Sequence, residues 1–505
     1  MLPIIGLVVN FFSGDNSTFY YLVETVLLDY SLNTLYLVLI TSFCALILGV
    51  IPAWFISNYK FKGRKVFDII LYLPLAIPSY IMCFTYIDIL SYTGPIQTFV
   101  RTQAPLLSEF FNKDYLQIEI LGILLGLALY PYVYTASRIS FSLIGSNYIN
   151  ISKNLGLNNF QTFYKVVLPL SRPAIFSGLF LVIMEVLNEY GAVKYFGINT
   201  YTTGIFRSWF SFGDVNGAIL LDCILLIVVL VLFSLEKASV KNSKFFYQKN
   251  TEVQKTTSLK SKNYVFVFIV CCVPFLLGFL VPFLFILHNV VQTFFQINYD
   301  NLLQLTWNTV YVASLSSLII IDVALFFLFV ERISKAKISF YINNLISLGY
   351  ALPGAIIGLG LILIFSYYSL IGSFFILIFA YLIRFLAVGK SPIKSSIEKH
   401  PESIDDTGKN LGLGPFKLLH RIHLPINKFA LISAFIVTFI DVMKELPITL
   451  ILRPFNFDTL ATQTYEFAVE EMLPMSSIYS LVIIVLGSLM LLFLKNFIDK
   501  QINVS

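Results

Sequence analysis

The chain has 505 residues, 57% of them hydrophobic and only 12% charged, with a formal net charge of +6. So few charges cannot cover the surface of a soluble protein of this size, which excludes a soluble enzyme and points to a polytopic membrane protein. The apolar runs are apolar all round rather than alternating, which excludes an outer-membrane barrel and leaves an all-α protein with spans of about 20 residues.

Met1–Phe12 is apolar but has neither the basic n-region nor the cleavage site of a signal peptide, and is expected to form a shortened first helix. Spans are expected near 32–56, 66–90, 117–141, 171–194 and 216–236. A polar linker, 237–263, follows with seven lysines; it is a charged tether that also suits anionic lipid. Further spans are expected near 264–288, 306–330, 341–366, 371–390, 428–450 and 477–495, which makes about twelve transmembrane helices. The expected organisation is an N-terminal helix and external loop over 1–29, a first module over 30–236 and the linker 237–263. A linking helix and external loop over 264–303, a second module over 304–495 and a tail over 496–505 complete it.

Orientation follows from the positive charges. With both termini cytoplasmic, segments 57–65, 137–172, 236–263, 331–340, 384–428 and 495–505 hold 28 of the 34 Lys and Arg. External loops hold Arg101, Lys113, Lys194, Arg207 and Arg453, and Lys444 lies in a span.

The two halves repeat each other. Asn33-Thr34-Leu35-Tyr36 matches Asn308-Thr309-Val310-Tyr311, and Pro78 matches Pro353 at the same offset. Lys153-Asn154-Leu155-Gly156-Leu157 recurs as Lys409-Asn410-Leu411-Gly412-Leu413, at a somewhat shorter offset. At that second offset Phe160 meets Phe416, Lys165 meets Arg421, Pro169 meets Pro425, Glu185 meets Asp441 and Glu189 meets Glu445. The offset falls because the external loop 91–116 has no equal in the second half.

Each repeated loop reads as a helix–Gly–helix hairpin. Gly156 and Gly412 sit where a left-handed residue ends a helix, and Asn159 is the expected N-cap of the next one. Phe160, Phe163, Tyr164 and Val167, with Phe416, Leu419, His420 and His423 in the second copy, fall at helical spacing on one apolar face. Leu-Pro is expected to end each hairpin. A single such element would suit the lipid interface as well. Two copies, with identical spacing from Gly156 to Pro169 and from Gly412 to Pro425, favour two docking points for a partner outside the membrane.

Charges inside spans are expensive and are functional candidates. Glu185 and Glu189 are expected on one helical face, with Asp441, Lys444 and Glu445 in the corresponding place. Either they line a pathway or Lys444 pairs with a nearby acid and the set holds the helices together. Asp322 lies in a span with no basic neighbour, either buried neutral or facing a polar crevice. Cys44, Cys83, Cys223, Cys271 and Cys272 read as small apolar residues of helices. His420 and His423 lack a third metal ligand, no catalytic constellation is present, and topology explains the basic excess without nucleic acid.

The spacing from Gly to Leu-Pro resembles the EAA loop of membrane subunits of binding-protein-dependent ABC importers. Where that motif begins with Glu-Ala-Ala, this chain has Asn150-Ile151-Ser152 and Asp406-Thr407-Gly408, so Asp406 alone keeps the acid. Tyr190–Gly204, Phe206–Phe210 and Lys444–Thr462 are similar to the fused two-module permeases of ferric-iron importers. The resemblance implies two homologous type-1 ABC importer transmembrane modules in the inner membrane, taking ferric iron from a periplasmic binding protein. It also implies two separate ABC ATPase subunits, which carry the ATP and Mg, docked on the repeated loops. This chain has no Gly-x4-Gly-Lys-Ser/Thr phosphate loop and is expected to bind no cofactor or metal and to be no enzyme. Two alternatives stand: a permease for thiamine or another small solute, and an ion-coupled secondary transporter using Asp322 or the acidic pairs.

Overall fold

The computed structural model describes residues 2–13, 17–241, 257–258, 264–334, 342, 345–346, 348–366 and 371–504. Most of the linker 237–263, and part of the span expected over 341–366, lie outside the described residues. The chain is an all-α polytopic membrane protein. Among the described residues nine helices are long and apolar enough to cross a membrane. A tenth element is bent by 90° between Arg64–Ala76 and Ser79–Gln103, and Leu2–Phe12 and Gly354–Phe365 are shorter apolar helices. Together these make about twelve.

The bend corrects the straight span expected over 66–90. A 3-10 turn, Leu73–Ala76, with Pro74 inside it leads into the bend, and Ile77, just before Pro78, is extended at φ −94°, ψ 115°. A residue that precedes proline is driven out of the helical region, so the helix cannot run through Pro78. The spans expected over 171–194 and 428–450 are also shifted. Their helices run continuously from Asn159 and from Pro415 and stop at Asn188 and Met443. Short helices Gly191–Tyr195 and Pro447–Leu452 follow.

By contacts the chain forms two compact units that do not follow chain order. One comprises Met1–Gly14, Ile297–Gln463 and Val485–Ser505. Within it helix α1 (Leu2–Ser13) packs on α2 (Gly354–Phe365) at backbone contact. A Cβ added at Gly360 would lie 2.4 Å from the Pro3 carbonyl oxygen, and one at Gly6 would lie 2.7 Å from that of Gly360. Small residues let apolar helices approach this closely where no hydrophobic effect drives them together.

The other unit comprises Asp15–Gln296 and Thr464–Ile484. Its core is the packing of Leu27–Asn58 on Ile118–Leu143, with Gly122 and Gly126 one helical turn apart at the contact. A Cβ at Gly126 would lie 2.5 Å from that of Cys44, and one at Gly122 would lie 2.7 Å from Ile40. A two-residue parallel bridge joins Tyr59–Lys60 to Thr257–Ser258.

The repeated Asn-Thr has one structural role in each unit. Asn33 donates to the Asn199 carbonyl at 3.0 Å and the Thr34 hydroxyl accepts from the Tyr201 N–H at 3.3 Å. In the second half Asn308 donates to the Asp458 carbonyl at 3.0 Å and Thr309 accepts from Leu460 N–H at 2.9 Å. Each pair ties the start of a span to the loop entering a short helix, satisfying backbone groups that lipid cannot.

Candidate functional site

The two repeated loops fold alike. Helix Gly145–Asn154 ends at Leu155, and Gly156 follows at φ +82°. The Gly156 N–H donates to the Lys153 carbonyl at 2.9 Å, and the Leu157 N–H donates to the Ser152 carbonyl at 3.0 Å. This is a Schellman ending, and it demands a left-handed residue at Gly156. The second copy repeats it: Gly412 has φ +75°, its N–H reaches the Lys409 carbonyl at 2.9 Å, and that of Leu413 reaches Gly408 at 3.1 Å. Lys153, Asn154, Leu155, Lys409, Asn410, Leu411 and Asp406 are exposed, and Leu157 and Leu413 are half-buried.

The next helix is capped by Asn158, one residue before the expected Asn159. Its side chain accepts from Gln161 N–H while Gln161 accepts from its own N–H, a reciprocal capping box. Gly414 and Pro415 open the second copy. The Leu-Pro pairs do not end these helices, contrary to expectation. A π turn precedes each, Phe163–Val167 and Leu419–His423. A proline inside a helix removes an N–H and presses on the carbonyl four residues back; one extra residue in the turn before Pro169 and Pro425 accommodates this.

The π turn also divides the expected apolar face. Val167 and His423 turn inward, at 1% and 4% exposure. Phe163 packs on Trp54, ring centroids 5.0 Å apart. Tyr164 and His420 stay exposed, and beside each glycine lies an exposed apolar pair: Leu155 and Phe160, both 76% exposed, and Leu411 and Phe416, 75% and 72% exposed.

Behind this common face the interiors differ. The buried hydroxyls of Ser152 and Thr162 lie 3.1 Å apart. The corresponding positions hold Gly408 and Leu418, and a Cβ at Gly408 would lie 2.5 Å from the Leu418 side chain. The second loop is also tied to Tyr299–Ser334. Arg332 Nε donates to Asp405 Oδ2 at 2.6 Å, and its other nitrogens reach the carbonyls of Ile397, His400 and Pro401. His423 Nε2 meets Asp405 Oδ1 at 2.6 Å.

Burial pushes the Asp405 carboxyl up, but the hydrogen bonds from Arg332 and His423 outweigh it and hold the group below the ordinary carboxylate range. A depressed folded-state pKa gives stability that is complete above the unfolded-state pKa of about 4 and is lost as pH falls through the folded value. The expected result is a lower thermal midpoint for Asp405→Asn at neutral pH, with the gap to wild type closing on acidification below about pH 4. A series of melts against pH checks this; a constant gap contradicts it.

The acidic residues are not on a continuous helix face. Because the first helix stops at Asn188, Glu189 is its C-cap, at φ −67°, ψ 117°. Its Oε1 accepts from the Ala192 N–H at 3.1 Å, which caps Gly191–Tyr195, and Ser79 donates its hydroxyl to Oε2. Glu445 does the same for Pro447–Leu452, its Oε1 accepting from the Ile448 N–H at 3.3 Å. Here Gly354 stands in place of Ser79, and Arg384 pairs with Glu445 Oε2 at 3.3 Å. Glu185 and Asp441 are half-buried, and Asp441 pairs with Lys444 at 2.9 Å. A carboxylate at a helix N-terminus is stabilised by the free N–H groups there.

Sequence reasoning placed Arg384 among cytoplasmic charges, whereas it lies inside Phe374–Ile397, 2% exposed. Asp222 went unremarked, yet it is fully buried in Val215–Lys241 and neither of its oxygens has a partner among the described residues. The same rule that singled out Asp322, a charge in an apolar run, finds both. Asp322 is exposed, on one side of its helix with Leu318 and Phe326. Among the described residues no group of three His, Cys, Asp or Glu has the geometry to hold a metal.

Duplicated helical halves with matching exposed loops define a membrane permease. Residues 45–241 match the family described as binding-protein-dependent transport system inner membrane component. The chain is 25% identical over 479 residues to the Fe(3+)-transport system permease protein FbpB 2 of Haemophilus influenzae, covering 93% of this chain and 90% of that protein. It is 28% identical over 161 residues to the sulfate transport system permease protein CysT of Salmonella typhimurium, 30% of this chain and 53% of that one. The molybdenum transport system permease protein ModB of Azotobacter vinelandii is 24% identical over 168 residues, 33% of this chain and 71% of that one. Along nearly its whole length the chain resembles a fused permease of a ferric-iron importer, and its apolar helices make it a multi-pass membrane protein. Permeases of this kind work with an ATPase and a substrate-binding protein.

Proposed function

We propose that the chain carries ferric iron across the inner membrane in an ATP-driven importer. The observation that carries this reading is the likeness along 93% of the chain to a permease whose name gives Fe(3+) as its cargo. A periplasmic binding protein delivers the ion. Two ATPase subunits, one per loop, hold ATP and Mg and couple through Lys153, Asn154, Leu155, Gly156, Leu157 and Pro169 in the first module. Asp406, Lys409, Asn410, Leu411, Gly412, Leu413 and Pro425 do so in the second. The exposed Leu155–Phe160 and Leu411–Phe416 pairs, repeated at the same spacing in both loops, support this reading.

In this proposal both termini are cytoplasmic, supported by the excess of Lys and Arg in the segments that then face inward. The modules occupy 30–236 and 304–495, on either side of the linker. Glu185, Glu189, Asp441, Lys444 and Glu445 stand beside the pathway.

Purification of the tagged chain from its native membrane tests the partnership, with an ATPase expected at two copies per permease. Iron uptake by vesicles holding the complex tests the cargo, with thiamine as competitor. ATP-dependent iron uptake indifferent to thiamine is expected. A chain that purifies without an ATPase and transports on a proton gradient overturns the reading.

A further inference from the structure

We propose that a polar cavity in the unit containing the first module binds a small monovalent cation the size of sodium. The cavity lies between Ser79–Leu90, Val281–Thr293 and the first turns of Leu473–Val504. Its polar lining is Thr85, Asp88, Asn289, Ser476, Ser477 and Ser480. All but Asp88, which is half-buried, are buried. The space suits one water-sized occupant.

The lining presents acceptors. Thr85 donates its hydroxyl proton to the Ile81 carbonyl at 2.8 Å. Ser476 and Ser477 donate theirs to Leu473 at 2.8 and 3.2 Å, and Ser480 donates to Ser476 at 3.0 Å. Four hydroxyls thus spend their protons on their own helices and keep their lone pairs for other partners. The Asn289 amide donates to Asp88 Oδ2 at 3.1 Å and to Ser477 Oγ at 3.3 Å, which holds the carboxylate in place.

A cavity of hard oxygen acceptors with one carboxylate matches one positive charge. A trivalent ion would leave two charges uncompensated in an apolar surround, at a prohibitive solvation cost. This site is therefore separate from the iron cargo. The fold does not itself require the carboxylate: in the register that matches Pro78 with Pro353, the position corresponding to Asp88 is Leu363.

The test is the thermal midpoint of the full chain in lipid nanodiscs, titrated with sodium, potassium or choline chloride at constant ionic strength. A saturable rise is expected in sodium, a smaller one in potassium and none in choline. Asp88→Asn and Ser477→Ala are expected to flatten the sodium response, while Asp322→Asn, outside the cavity, keeps it. Should Asp88→Asn fail to fold, binding of radiolabelled sodium to the wild type and to Ser477→Ala decides. Equal midpoints in all three salts overturn the proposal and leave water as the occupant. So does a sodium response that survives in Asp88→Asn or Ser477→Ala.

Discussion

Arg384→Met is expected to destabilise the protein by about 3–5 kcal/mol, the usual cost of removing one partner from a buried ion pair. Arg384 is among the largest fully buried side chains. Its Nη1 donates to the Leu352 carbonyl at 2.8 Å, and its Nε lies 3.3 Å from Glu445 Oε2, an ion pair rather than an aligned hydrogen bond. The change takes this cation away from Glu445, which is 6% exposed, and takes the donor from Leu352. Adding Glu445→Gln is expected to recover much of the loss, since a neutral amide costs far less to bury than a carboxylate whose counter-ion has been removed. Thermal melts of the single and double variants check this. A double variant no more stable than Arg384→Met would show that packing, not charge, is what Arg384 supplies. The first module is built differently: in the register that matches Glu189 with Glu445, Ala128 stands where Arg384 does, and Ser79 serves Glu189.

Gly156→Val and Gly412→Val are expected to abolish ATPase co-purification and transport. A Cβ at either glycine has open space, with nothing within 4 Å, so the obstacle is the backbone. At φ +82° and +75° an L side chain costs roughly 1–2 kcal/mol, and a β-branched one more. The chain escapes that strain by giving up the Schellman ending, which moves Leu155 and Leu411 relative to Phe160 and Phe416. At about 1.4 kcal/mol per tenfold, the displaced face weakens docking by roughly tenfold or more per loop. Asn tolerates the left-handed region, so Gly412→Asn is expected to keep most of the binding. Pull-downs of each variant provide the readout; normal recovery of the ATPase with both valines in place would remove the loops from the docking site.

Long apolar runs and the positive-inside count made the membrane class and most spans legible, because lipid imposes both through simple length and charge rules. The left-handed Gly156 and Gly412 were legible for a local reason: a repeated Lys-Asn-Leu-Gly ends a helix in one way. The acidic pairs were not. Periodicity placed Glu185 and Glu189 on one face, but the buried Glu189 carboxylate accepts from the Ala192 N–H at the start of a new helix, and that competition ends the old one. The π turns before Pro169 and Pro425 were equally invisible to a reading at the ordinary helical period. Arg384 was misplaced because its partner, Glu445, lies in the break between two helices well beyond the second repeated loop. The Asp405–Arg332–His423 contact likewise depends on helices brought together only by the fold.

The backbone contact of Gly6 with Gly360 has a consequence for how the molecule is made. Synthesis proceeds at about 5–20 residues per second, so roughly 20–70 s separate the emergence of these two glycines from the ribosome. Through that interval Leu2–Ser13 is without the helix it finally packs on, and other chains or insertion factors have access to its small-residue face. The growing polypeptide must hold its first helix in reserve while most of its length is laid down, and it closes that contact late.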